Sequence, residues 1–339
     1  MGEYYKKIHV PKERKRGEMT MLDKIRGGVI GLAAGDALGV PVEFMRRKEI
    51  LQNPVTDMRG WGTYMQPPGT WSDDTGMVLA TLDSLCGGYD PENMMQRFVM
   101  WSHGGEYWPY EKVFDMGMTT NKAIGRYKTG VPALACGMSG ERDNGNGSLM
   151  RILPVALYLY PMTGPNICRN DKAMRIVHDI SKLTHAHPRS MIACGMYVSV
   201  ACQLLAGQEV RAAVQTGIME AAGYYIEKDY VQELNHFTRL ADLDAFRRLK
   251  VEEIRSTGYV VDTLEAALWC LLNTKSYKDC VILAANLGED TDTVAAVAGG
   301  LAGIAYGIKG VPAAWQLMMP KTGFMDTLCR QLYAAHYEK

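Results

Sequence analysis

DKIRGGVIGLAAGDAL, residues 23–38, carries apolar side chains at helical spacing and crowds Gly27, Gly28, Gly31, Ala33, Ala34 and Gly35 along its length. A glycine inside a helix costs about 1 kcal/mol against alanine. Repeating that cost makes sense where helix backbones must approach closely. TVAAVAGGLAGIAYGI, residues 293–308, has the same character, with Ala295, Ala296, Ala298, Gly299, Gly300, Ala302 and Gly303. These two segments are expected to be the innermost helices of the fold.

Working outward, helical spacing recurs over Thr75–Leu85, Pro91–His103, Ser148–Leu159, Arg189–Leu205 and Val260–Leu272. Period-two alternation is scarce and no strand–helix–strand rhythm appears. No fixed repeat length marks a solenoid. The fold class is therefore all-α, a single globular multi-helix bundle over residues 21–339. Residues 1–20, MGEYYKKIHVPKERKRGEMT, read as a flexible charged leader. Gly207–Thr257 is more polar and reads as an outer helical region.

Lys plus Arg and Asp plus Glu are 37 each, so the formal net charge is zero. A balanced chain has no broad electrostatic footprint for nucleic acid or an anionic membrane, and neither partner is expected. No uninterrupted apolar run of 18 residues marks a membrane span. The eight cysteines include no C-x-x-C pair and mostly sit in apolar runs, which reads as buried thiols in a reducing, cytoplasmic setting.

Chemistry concentrates at two acidic helix starts. In Gly69–Thr75, GTWSDDT, Asp73 and Asp74 are adjacent. Their side chains diverge by about 100° on a helix, so each can reach a different ion, or one can support the other. In Gly288–Thr293, GEDTDT, Asp290 and Asp292 open the second small-residue helix. Either motif alone suits a helix cap. Together they would bury four aspartates at the ends of core helices, and uncompensated buried carboxylates are costly. Divalent cations would compensate them. With the Ser72 and Thr293 hydroxyls the donors are all oxygen, which selects hard ions such as Mg²⁺, Mn²⁺ or Ca²⁺ over zinc.

Other motifs are less decisive singly. Gly145-Asn146-Gly147-Ser148 is a glycine-flanked turn at a helix start, suited to a phosphate or to simple capping. Arg151 could pair with a phosphate or a structural carboxylate. Asp36 falls in the glycine-rich helix and needs a partner. Glu43, after a proline-containing turn, could face a cleft or lie in a solvated loop. His185, in Leu183–Pro188, reads as a hydrogen-bonding residue rather than a metal ligand.

The set GDALGVPVE (35–43), WSDDT (71–75), FDMG (114–117), GNGSLMR (145–151), LTHAHP (183–188), GYVVDTLEAALW (258–269) and GEDTDT (288–293) resembles the ADP-ribosylglycohydrolase family. The resemblance implies an enzyme that hydrolyses the glycosidic bond between ADP-ribose and a modified target. It implies two Mg²⁺ or Mn²⁺ ions held by Ser72, Asp73, Asp74, Asp290, Asp292 and Thr293. Catalytic roles would fall to Glu43, Asp74 and Asp290, with Glu43 where the family has a mobile catalytic glutamate. Gly145, Asn146, Gly147 and Ser148 match the diphosphate turn, and His185 and Tyr259 would also bind substrate. FDMG resembles the segment of arginine-specific relatives in which an aspartate, here Asp115, faces the guanidinium. Asp115 also suits an N-cap for a helix over Thr119–Tyr127. The expected partner is an ADP-ribosylated protein or a small ADP-ribosyl substrate. A non-catalytic ADP-ribose binder, a crystallin-like relative and a two-metal nucleotide phosphohydrolase are the alternatives.

Overall fold

The computed structural model describes residues 19–110, 113–228 and 230–338. Within them, twelve helices of nine residues or more form the body of the fold. They are α1 (Met21–Gly39), α2 (Asp73–Cys86), α3 (Pro91–Ser102), α4 (Met118–Lys128), α5 (Leu153–Thr163), α6 (Asp171–Lys182), α7 (Pro188–Leu205), α8 (Val210–Glu227), α9 (Val260–Asn273), α10 (Tyr277–Ala285), α11 (Thr291–Tyr306) and α12 (Thr322–Tyr337). Among the described residues the only β-type pairings are two isolated bridges, Met138 with His185 and Gly145 with Tyr259. The charged leader lies outside the described residues except for Met19 and Thr20.

The two small-residue helices pack on one another, antiparallel, at the centre. A Cβ on Gly27 would lie 2.2 Å from the Gly303 carbonyl oxygen, on Gly31 2.9 Å from that of Gly299, and on Gly35 2.0 Å from that of Ala295. On Gly39 it would lie 2.3 Å from the backbone of Asp292. Glycine every fourth residue therefore forms a seam along α1 that admits the α11 backbone. The seam ends at the first turn of α11, which fixes where Asp292 sits. By length and hydropathy α1 could cross a bilayer, but 94% of its apolar 18-residue window is buried inside the fold, so it is a core helix.

The acidic starts are tied to this pair. Thr291 Oγ1 donates to the Gly39 carbonyl at 2.9 Å, closing α11 onto the end of α1. Asp36, fully buried, accepts from the Ser72 amide at 2.9 Å, the Thr75 amide at 3.0 Å and the Thr75 hydroxyl at 2.6 Å. This is the partner that Asp36 required, and it clamps the start of α2 to α1.

One helix begins later than its apolar spacing implies. Asn146–Ser148 is a single 3-10 turn, and α5 starts at Leu153 rather than Ser148. Pro154 accounts for this. It lacks an amide hydrogen and would clash with the Met150 carbonyl in a continuous helix, so it is confined to the first turn. α6, α10 and α12 are additional to the helices that the apolar spacing predicts. The polar segment 207–257 is helical and outer as expected: α8 buries Ala213, Val214, Gly217, Ile218, Ala221 and Tyr225, with Gly217 against Val200 of α7.

Candidate metal centre and substrate cleft

The starts of α2 and α11 meet at the floor of a cavity of about 260 Å³. Glu43, Asp73, Asp115, Gly145, Asn146, Gly147, His185, Asp290 and Thr293 line it, together with Phe44, Gly117, Met118, Thr119, Thr120 and Met150. Ser72, Asp74 and Asp292 lie just beneath, all buried. Asp74 Oδ2 accepts from the Thr293 hydroxyl at 3.2 Å and the Ser72 hydroxyl at 3.3 Å. Asp292 Oδ1 accepts from the Thr293 amide at 2.9 Å. Asp290 Oδ2 accepts from the Asn146 amide group at 2.8 Å.

Three buried oxygens have no partner: Asp74 Oδ1, Asp292 Oδ2 and Glu43 Oε2. Burial pushes the carboxyls of Asp73, Asp74 and Asp292 well above their ordinary range, and neighbouring acids push them further. Glu43 is pushed up to about 9, first by burial and then by Asp115 and Asp290. Asp290 and Asp115 are also raised, mainly by burial. Among the described residues no lysine, arginine or histidine forms an ion pair with any of these acids. A pocket of buried carboxylates without a protein cation fits hard divalent ions, with the unpartnered oxygens as open ligand positions. Single oxygens of Glu43, Asp115 and Asp292 fall within 4.8 Å of one another, close enough to share an ion.

Asp115 is not a helix cap. The residue before α4 is Gly117, which makes no side-chain capping bond. Asp115 stands with φ 60 in the left-handed region, and its Oδ1 accepts from the Tyr64 hydroxyl at 2.6 Å. Phe44 and Glu289 share this backbone state, each with φ 63. They are laced together: the Phe44 amide donates to the Glu289 carbonyl at 2.7 Å, and the Glu289 amide to the Met45 carbonyl at 2.8 Å. A non-glycine residue held this way costs on the order of 1–3 kcal/mol. Three such residues adjoin Glu43, Asp290 and the cavity.

The turn at Gly145–Ser148 is pinned to the start of α9. The Asn146 amide donates to the Gly258 carbonyl at 3.0 Å, and the Val260 amide to the Asn144 carbonyl at 3.2 Å. The Asn146 amide is thus already engaged, and the Ser148 hydroxyl turns inward to accept from Ser181 at 3.0 Å. Both groups are thus engaged within the fold. Gly147 is needed for space, since a Cβ there would lie 2.7 Å from His185 Cε1. His185 is held neutral, its pKa pushed down to about 3 by burial and by Arg151, with Nδ1 against the Thr184 hydroxyl at 2.8 Å. Arg151 is structural: fully buried, it donates to the Gly147 and Ile180 carbonyls and lies over the Phe98 ring. The Tyr259 ring stands beneath the Arg189 guanidinium at 5.7 Å and does not line the cavity.

Tyr64, Phe44 and Thr120 belong to this site and were not singled out in the sequence. Tyr64 carries no signal, because its loop position reveals nothing of a partner 51 residues away.

The ADP-ribosylglycohydrolase family profile matches residues 17–339. The chain is 33% identical to the ADP-ribosylarginine hydrolase Tri1 of Serratia proteamaculans, over 93% of this chain and 80% of that protein. It is 31% identical to the ADP-ribosyl-[dinitrogen reductase] glycohydrolase of Rhodospirillum rubrum, over 86% of this chain and 89% of that one. A solved structure described as an ADP-ribosylglycohydrolase-related protein complex superposes with a TM-score of 0.72 at 28% identity, covering 93% of this chain and 99% of its own.

Proposed function

This chain belongs to the ADP-ribosylglycohydrolase family, and from that premise we propose that it cleaves the N-glycosidic bond joining ADP-ribose to an arginine side chain of a modified protein. The observation that carries the reading is the group of buried carboxylates without a cationic partner, opening onto one cavity with Asp115 at its wall. Ser72, Asp73, Asp74, Asp290, Asp292 and Thr293 would hold two Mg²⁺ or Mn²⁺ ions. Bound there, such ions polarise substrate hydroxyls and water.

The chain's own residues then have distinct tasks. Glu43, with one unpartnered oxygen and little exposure, is the proton carrier. Water adds at the anomeric carbon as the carbon–nitrogen bond breaks, and the bonding pair leaves with the guanidino nitrogen. Glu43 carries the one proton that water releases to the departing guanidino nitrogen and ends as it began, which balances the step. Asp115 supplies a charge-assisted partner for the planar guanidinium. Two relatives support the arginine assignment, being named for ADP-ribosylarginine hydrolysis in Serratia proteamaculans and Pseudomonas putida.

The test is product analysis with arginine-linked and serine-linked ADP-ribosyl substrates in Mg²⁺ or Mn²⁺. Free ADP-ribose released preferentially from the arginine conjugate is expected. AMP and phosphate, or no product at all, would overturn the reading.

A further inference from the structure

We propose that Tyr64 is a positioning residue for the acceptor: by holding Asp115 at the cavity wall it sets the preference for a guanidinium leaving group. The inference rests on the arginine reading above. Asp115 sits in an unfavourable place, with a left-handed backbone and with oxygens of Glu43 and Asp292 nearby. The Tyr64 hydroxyl donates to Asp115 Oδ1 at 2.6 Å and tethers the side chain there.

Tyr64 can hold Asp115 because its own position is fixed. The Trp61 amide donates to the Gln66 carbonyl at 2.7 Å, closing the loop that carries Tyr64. That loop lies directly on the segment leading to Glu43. A Cβ on Gly62 would fall 1.7 Å from the Pro41 carbonyl oxygen, and Thr63 Oγ1 donates to the Glu43 carbonyl at 2.8 Å. The Tyr64 ring packs at 5.0 Å from Phe114, the neighbour of Asp115, and meets Phe44 edge-on at 6.5 Å. Neighbouring residues of one loop thus grip the backbone of Glu43 and the side chain of Asp115. Because Oδ1 accepts from the phenol, Tyr64 sets the direction in which the Asp115 carboxylate is presented to an acceptor.

The experiment is a double-mutant cycle on the metal-loaded enzyme with Tyr64→Phe, Asp115→Asn and the pair together. Tyr64→Phe should lower kcat on the arginine-linked substrate by about 10- to 100-fold, the range for losing a hydrogen bond to a charged group. Free ADP-ribose affinity should stay within about twofold of the parent, and the double variant should be no slower than Asp115→Asn alone. Near-parental turnover by Tyr64→Phe, losses that multiply in the double variant, or an equal fall in ADP-ribose affinity would each overturn the proposal. Failure of the arginine reading itself is distinguishable, because the unsubstituted enzyme would then leave the arginine conjugate intact.

Discussion

The Thr293 hydroxyl donates to Asp74 Oδ2 at 3.2 Å, joining the first turns of two core helices across 219 residues of sequence. That single bond marks where the acidic starts of α2 and α11 converge, and the expectations below follow from the convergence.

Chelation should make stability pH-dependent in a definite sense. The raised carboxyls bind more protons folded than unfolded, so stability falls as pH rises from the unfolded value of about 4 through the folded ones. With Asp36 raised to about 6 and Glu43 to about 9, the window opens near pH 4 and extends to about 9. In EDTA the melting temperature should decline from pH 5 to 9. With Mn²⁺ the decline should flatten or reverse, because the ions bind the deprotonated set. Asp292→Asn should reduce the slope in EDTA and abolish activity. Parallel curves with and without metal would refute a metal centre here.

Glu43→Gln removes the proton carrier while keeping the side chain's size. General acid–base help is typically worth 10²–10⁴-fold, and kcat should fall by about that much. ADP-ribose binding, measured by calorimetry, should persist. Turnover close to the parent's would remove Glu43 from the mechanism.

Gly147→Ala would place a methyl group 2.7 Å from His185 Cε1 and press that ring into the cavity. Overpacking of this kind costs roughly 1–3 kcal/mol. ADP-ribose affinity should weaken by about 5- to 150-fold on that scale, with helix content by circular dichroism unchanged. An unaltered dissociation constant would mean that the turn serves the fold alone.

Asp115→Asn separates charge from shape. A guanidinium partner loses its charge, so arginine-linked turnover should drop while free ADP-ribose still binds. The scale is about 10- to 100-fold, as for other charge-assisted hydrogen bonds. Full activity in this variant would argue that Asp115 acts only through its backbone.

The sequence made the core legible because its signal is periodic. Gly27, Gly31 and Gly35 are spaced by one helical repeat, and that spacing requires a closely approaching neighbour. The four aspartates were legible because burying them at helix starts calls for compensation. Other features depend on contacts that composition does not encode. Pro154 fixes a helix start by local sterics, yet the apolar run across it looks continuous. Arg151 could have faced a phosphate; only the packing shows it spent on two carbonyls and a phenylalanine ring. Tyr64 is invisible in sequence because its meaning lies wholly in the distant residue it touches.

The glycine seam between α1 and α11 makes the proposed metal ligands hostages to geometry far away. From Gly27 to Gly39 is twelve residues, about 18 Å of helix, and the far end of that rail sets the height of Asp292. A Cβ at Gly27 or Gly303 would meet backbone oxygen at 2.2 or 1.9 Å, so one rail must shift against the other. Its first symptom would be a higher metal requirement at a site it never touches. A genetic screen for variants rescued by excess manganese should therefore return hits along the whole seam, as well as at the carboxylates themselves.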